Sequence, residues 1–535
     1  MSRRTLQLAA IAFIMCGVVG QAQSAKPAAA PFRVVEASVA DVHAAFARGT
    51  LTARALTQQY LDRIDAYDKR GPLLNSIITI NPHALEDADR LDAQFKRTGR
   101  VGPLHGIPIL VKDEIDTAGM PTTLGTLVFK DYRPPKDAFV VDRLRRAGAI
   151  ILGKTTLSEF AAGDTYGSMF GSTRNPYDPT RTAGGSSGGS GAALAANLSM
   201  LALGEETAAS IRRPGGWNAL VTLRPTPGLV SRTGMWDGYP TTPAQVGPMA
   251  RTVTDLARLL DVMVGYDPED PLTALGVNVK HVPYSKYLDR NGLKGARIGV
   301  LREVLGNATD PASAEFKAVD VVFERNLAEL KAAGATVVDP LVIPDLKKLM
   351  AVRATHPELA EEAMQLYLGR TPDWPFRTRE AIGKHPDMDK AIPPTKATQW
   401  RALQPKTDWA QWGQYLRARE QLTINIAKVT ADNQLDAIVH KTVEIPPITL
   451  AEALTPPYKT GNNYISTLNT FLVFAATMTV PSGYSEGGLP TGLTFFGPAY
   501  TEPTLLKLAY AYEQATHHRT PPKTAPPLAR SPGTK

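Results

Sequence analysis

The 535-residue sequence holds a single cysteine, Cys16, and nine histidines, none of them in an H-E-x-x-H or comparable ligand spacing. One cysteine excludes an intrachain disulfide. The lack of a ligand cluster predicts no metal site. No lysine follows the glycine-rich segment where a phosphate-cradling loop would need one, and no cofactor is implied. The 59 Lys and Arg outnumber the 51 Asp and Glu, for a formal charge of +8. These basic residues are scattered rather than gathered into a stripe, so nucleic acid is not an expected partner and the charge serves solubility.

What the chain does contain begins with an address. Arg3-Arg4, an apolar run from Leu6 to Gly20 and the small residues around Ala22, Ser24 and Ala25 have the three parts of a secretory signal peptide. The run is short for a membrane span, which sets aside the alternative of an uncleaved anchor and predicts no stable membrane insertion after cleavage. A lipoprotein reading through Cys16 is set aside because Met15 is bulky. The expected organisation is a signal over 1–25, a spacer over 26–35, one domain over 36–518 and a disordered Pro-rich tail over 519–535, with the mature protein secreted or periplasmic. Cys16 leaves with the signal, so the chemistry must use oxygen or nitrogen nucleophiles.

A hydrophobic share of 43% is enough for a substantial core. Apolar spacing predicts two helices between Ala40 and Lys69, broken at Gly49-Thr50, and helices over Pro82–Phe95, Asp137–Ala147, Val253–Val264, Ala312–Ala333 and Glu502–Ala515. Strands are expected over Leu74–Ile80, Ile109–Val111, Ala149–Gly153, Ala296–Val300 and Ala335–Val338. The alternation is that of an α/β protein. Residues 340–465 follow no clear pattern and concentrate Trp374, Trp400, Trp409 and Trp412, residues that line a pocket or pack a core.

Two serine clusters flank one apolar segment. Gly184-Gly185-Ser186-Ser187-Gly188-Gly189-Ser190-Gly191 leads straight into Ala192-Ala193-Leu194, and Gly204-Glu205-Glu206-Thr207-Ala208-Ala209-Ser210-Ile211-Arg212 follows. A flexible linker would separate folded units. A glycine loop wedged against a buried helix is better placed to form a site, because glycine lets backbone approach a ligand closely. Upstream, Gly106-Ile107-Pro108-Ile109-Leu110-Val111-Lys112-Asp113 ends an apolar strand on a lysine. A lysine at a strand end is commonly solvated, but one that is buried with its strand is pushed toward its neutral form and can act as a base.

These three elements, in this order and spacing, resemble the amidase signature family. The likeness runs from about Ala40 to Ala515 and includes Gly488 to Gly497. It implies a single large α/β domain with a central twisted mixed β-sheet flanked by helices. It also implies hydrolysis of a carboxamide C–N bond through an acyl-enzyme: Ser210 as nucleophile, Ser186 as a bridge held by a cis peptide bond, and Lys112 as the ultimate base. The oxyanion would be held by the backbone N–H groups of Thr207, Ala208, Ala209 and Ser210, and Phe160 would form part of the pocket wall.

Relatives read Gly-Thr-Asp-x-Gly-Gly-Ser where this chain has Gly204 to Ser210. Its two alanines add Cβ atoms wherever the loop needs positive φ, and predict a reshaped loop. Alternatives within the same likeness are an esterase or carbamate hydrolase and a degenerate member that binds without cleaving. The expected partner is a small-molecule amide, whether an aryl amide, peptide amide, carbamate or ester. The amidase component of a tRNA-dependent amidotransferase is disfavoured by the signal peptide. A nucleophile elbow at Gly185-Ser186-Ser187-Gly188-Gly189 is disfavoured because Asn175-Pro176-Tyr177-Asp178-Pro179, not a strand, leads into it.

Overall fold

The computed structural model describes residues 32–236, 238, 244–279, 282–303, 309–457 and 474–528. The proposed signal peptide therefore lies outside the described residues. Among those residues no helix is long and apolar enough to cross a membrane.

Eleven strands form one mixed sheet. In chain order they are β1 (Ile77–Ile80), β2 (Pro108–Lys112), β3 (Ile150–Thr155), β4 (Leu201–Glu206), β5 (Val221–Arg224), β6 (Gln245–Ala250), β7 (Arg297–Val300), β8 (Thr336–Val338), β9 (Ala437–Lys441), β10 (Ala475–Ser485) and β11 (Leu489–Pro498). Their spatial order is β1-β3-β2-β4-β6-β5-β10-β11-β9-β7-β8. β2 runs parallel to both β3 and β4, whereas β4, β6, β5, β10, β11 and β9 pair antiparallel in succession. Helices cover the sheet, which is why β2 and β4 are buried at every position and read as continuous apolar runs rather than as alternation.

The helices start where the sequence places caps. Ser38 and Asp41 form a reciprocal capping box for α1 (Val39–Ala47), and the Thr52 side chain accepts from the Ala55 N–H at the start of α2 (Ala53–Arg63). Gly49, at φ +67°, makes the turn between them. The strand expected from Leu74 begins only at Ile77, since Leu73 and Asn75 adopt positive φ and break the extended run. The helix over Ala314–Ala332 and the final helix over Glu502–Thr516 lie within a residue or two of their expected ends.

Two boundary expectations need correction. Residues 519–528, expected as a loose tail, lie against the body, where the Arg63 guanidinium donates to the Ala525 and Pro526 carbonyls at 2.9 Å each. Ala525 is buried in the main core. Composition suggested disorder, but two buried arginines, Arg63 and Arg519, supply the donors that a Pro-rich segment lacks. At the other end, Val34 of the expected spacer is buried in the same core, and Phe32 packs against it.

Candidate active site

The parallel pairing of β2 with β4 sets Val111 opposite Leu203, so the two strands end side by side. Lys112 is the last residue of β2, and Glu205 and Glu206 close β4. Both strands stop below the glycine-rich loop that enters α5 (Gly188–Ala195). That helix is buried along its whole length. A Cβ at Gly189 would run into the Thr156 backbone and hydroxyl, and one at Gly188 into Thr165, so only glycine lets the helix start so close to its neighbours.

Lys112 is wholly enclosed. Its Nζ donates to Ser186 Oγ at 2.7 Å and to the Glu205 carbonyl at 3.3 Å, and it pairs with Glu205 Oε2 at 3.0 Å and Glu114 Oε1 at 2.6 Å. Burial, the largest single influence, pulls the ammonium pKa down, but Glu114 and Glu205 together outweigh it and hold it above the ordinary lysine value. The expectation of a neutral buried amine is thereby corrected: burial is present, but two carboxylates not recognised in the sequence keep the charge on the nitrogen.

Ser186 follows a cis Gly185–Ser186 peptide bond and is itself buried. Its carbonyl accepts from the Ser158 N–H at 3.0 Å. The preceding Gly185 carbonyl is gripped by Arg213, from Nε at 3.0 Å and Nη2 at 2.6 Å, while Arg213 also pairs with Asp164 at 3.0 Å. Arg213 belongs to α6 (Arg212–Trp217), the helix that starts two residues after Ser210.

Ser210 sits half-buried in the turn after β4. The turn is tied to the glycine loop by the Ser187 N–H, which donates to the Ser210 carbonyl at 3.1 Å. Glu206 shapes the same turn: Oε2 accepts from the N–H groups of Ile211 and Arg212 at 2.9 Å each, and Oε1 from Arg212 Nε at 2.7 Å. Burial pushes the Glu206 carboxyl up, but Arg212 outweighs it and the net pKa lies below the usual carboxylate value. Arg212 Nη2 reaches back to the Ala208 carbonyl. Among the described residues the non-glycine positions at positive φ do not include Ala208 or Ala209, so the expected penalty for alanine does not arise there. Thr207 turns its hydroxyl to Glu205 Oε1 at 3.0 Å.

Phe160 stands apart from this cluster. It is buried at φ 55°, 4.6 Å between ring centres from Trp400 and 6.3 Å from Phe129. With Trp236 and Trp400 it lines a cavity of about 670 Å³. Phe160 comes two residues after Ser158, so this aromatic wall begins beside the Ser186 loop. Of the four tryptophans in the unfamiliar region, Trp400 lines the cavity and Trp374 stacks on Phe129 at 5.2 Å, whereas Trp409 is exposed. Among the described residues no group of three or more His, Cys, Asp or Glu could hold a metal ion.

Three features were not singled out in the sequence: Glu114, the carboxylate role of Glu205, and the Arg213 clamp. Two acidic residues at the ends of strands that pair in parallel are a signal only once that pairing is known.

Comparison with known proteins agrees with this geometry. The family model described as Amidase matches residues 55–506. A glutamyl-tRNA(Gln) amidotransferase chain of Thermosynechococcus vestitus, the first component of that enzyme, is 34% identical over 497 residues, covering 90% of this chain and 99% of that one. A probable amidase of Arabidopsis thaliana is 32% identical, covering 92% of each. Among solved structures, native peptide amidase from Stenotrophomonas maltophilia superposes with a TM-score of 0.77 at 33% identity over 92% of this chain and all of its own. The chain therefore belongs to the amidase signature family, whose members are hydrolases of carbon–nitrogen bonds other than peptide bonds.

Proposed function

We propose that this protein hydrolyses a small-molecule amide to a carboxylate and an amine or ammonia, with Ser210 as nucleophile, Ser186 as the bridge and Lys112 at the end of the relay. The observation that carries this reading is the 2.7 Å bond from Lys112 Nζ to Ser186 Oγ inside a loop bonded to the Ser210 turn. An amide is a weak electrophile with a poor leaving group, so three functions are needed together: an activated hydroxyl, an oxyanion stabiliser and a proton source. The turn from Thr207 to Ser210 supplies backbone N–H groups for the oxyanion. The cavity walled by Phe160, Trp236 and Trp400 suits a substrate with an apolar or aromatic group, and likeness to a peptide amidase adds peptide amides to that class.

Amine and ammonia release from aryl anilides, primary amides, peptide amides, carbamates and p-nitrophenyl esters tests the reading directly. Turnover is expected for at least one amide and should be lost in Ser210→Ala and Lys112→Ala. Turnover that survives Ser210→Ala would assign the wrong nucleophile. We further propose that the mature protein is exported, on the strength of the N-terminal signal pattern. Recovery of uncleaved protein from the cytoplasm of the producing cell would refute this.

A further inference from the structure

The Lys112 ammonium faces more negative groups than it can neutralise. Glu114 Oε1 lies 2.6 Å from Nζ and Glu205 Oε2 3.0 Å, and none of the three side chains is more than 5% exposed. The two carboxyl groups are also within hydrogen-bonding reach of each other. Beyond this cluster, neither Glu114 oxygen has a hydrogen-bond partner among the described residues. One cation and two anions sealed from water leave an uncompensated charge, which a protein interior disfavours strongly. A proton retained by the carboxyl pair makes the cluster neutral, as in other carboxyl pairs forced into contact.

We infer, resting on the Ser210–Ser186–Lys112 reading above, that Glu114 and Glu205 share one proton and form the far end of the relay, so that Lys112 passes protons through to this pair and is not itself the terminal base. Their role is exerted through Lys112, which makes them positioning and proton-holding residues. Burial, opposed by Lys112 and reinforced by Glu205, sets the Glu114 carboxyl well above its ordinary value, in keeping with a retained proton. The other charged groups around the cluster are already engaged. Asp113 faces Lys154, Glu206 faces Arg212, Asp164 faces Arg213, and Arg224 from β5 stands near both Glu206 and Glu205.

The proton balance closes without a co-reactant. As the Ser210 Oγ–carbon bond forms, its O–H proton moves to Ser186, which releases its own to Lys112 Nζ. Lys112 in turn gives one of its protons to the ionised member of the pair. The nitrogen is an ammonium before and after, while the pair goes from one proton to two. When the tetrahedral adduct collapses, the C–N bond breaks and the same chain returns a proton to the leaving nitrogen. A water molecule then repeats the cycle on the acyl-enzyme.

The test is the pH dependence of kcat and kcat/KM for the full chain, in wild type, E114Q/E205Q, the conservative E114D/E205D, K112A and S210A, on the best substrate of the amide panel. Wild type is expected to keep most of its rate down to about pH 6, because a carboxyl pair and not an amine limits the acid side. In E114Q/E205Q the buried lysine must lose its own proton first. The acid limb should then rise by more than about one pH unit, with kcat at pH 6 down at least about tenfold and KM within about threefold. E114D/E205D should restore much of the wild-type limb. A folded E114Q/E205Q whose profile superposes on wild type overturns the inference. So does a wild type whose rate climbs only above about pH 8, the behaviour of a lone amine, and that measurement needs no variant to fold. Turnover surviving in K112A or S210A would instead overturn the Ser–Ser–Lys reading, so the two failures are told apart.

Discussion

The Lys154 ammonium and the Asp113 carboxylate meet at 3.0 Å with both side chains fully enclosed, one strand away from Lys112. Asp113 also accepts from the Thr123 N–H at 2.9 Å and its hydroxyl at 2.5 Å. The pair keeps the Asp113 charge occupied, so that it does not compete for Lys112. Removing one partner leaves the other charged and buried, which costs about 3 kcal/mol or more. D113N and K154M are each expected to lower the denaturation midpoint by that amount, and D113N/K154M by less than their sum. Urea unfolding of the three variants measures the coupling, and simple additivity would show that the two residues act independently.

Arg213 fixes the residue before Ser186 by two bonds to one carbonyl. Lysine can place a charge there but not the planar fork. R213K should fold, as judged by circular dichroism, yet lose at least about tenfold in kcat because Ser186 is no longer held in register with Lys112. Retention of wild-type kcat would show that the glycine loop holds its shape without the clamp.

The parts of the site legible in the sequence are those whose chemistry is local. Glycines crowded before an apolar helix mark the Ser186 loop, and a lysine closing an apolar strand marks Lys112. What stays hidden depends on the pairing of distant strands. Glu114 and Glu205 are 91 positions apart and meet only because β2 and β4 lie side by side. The final segment departs from its expectation for a similar reason: its prolines signal disorder by composition, while the arginines that hold it sit at position 63 and just ahead of it at 519.

Ala208 and Ala209 occupy ordinary backbone conformations, so glycine offers no relief there. A208G and A209G are each expected to destabilise by about 1 kcal/mol or less, through the greater freedom of the unfolded chain. Neither should raise kcat by more than about twofold. A large gain in rate would mean that the loop is strained by its alanines after all.

Arg519 anchors the last described segment. It donates to both Glu36 oxygens, at 2.9 and 2.8 Å, and to the Ala219 and Ala195 carbonyls at 2.8 and 3.1 Å. Glu36 is a third exposed, so water screens part of the loss. R519A should cost about 2 kcal/mol and expose the 519–528 segment to limited proteolysis. A segment equally resistant in R519A would place the anchor at Arg63 alone.

Glu513 gives the fold a dependence on pH that is separate from catalysis. Its Oε1 accepts from the Val253 N–H at 2.8 Å, and burial raises its carboxyl pKa from 4.5 to about 7, with nearby Asp255 acting in the same direction. Because the folded pKa is the higher one, the folded chain keeps a proton that the unfolded chain has already lost between those two values. Stability contributed by this group is therefore intact below pH 4.5, falls as pH rises through the window, and is lowest above 7. The full penalty is about 3 kcal/mol at most. Glutamine can still accept from the Val253 N–H but cannot ionise, so E513Q should match wild type near pH 4 and exceed it in denaturation midpoint at pH 8. Asp116, whose carboxyl is likewise raised to about 7 by burial, keeps its own slope in both proteins and cancels in the difference. Equal midpoints for E513Q and wild type at pH 8 would mean that Glu513 ionises in the fold without cost.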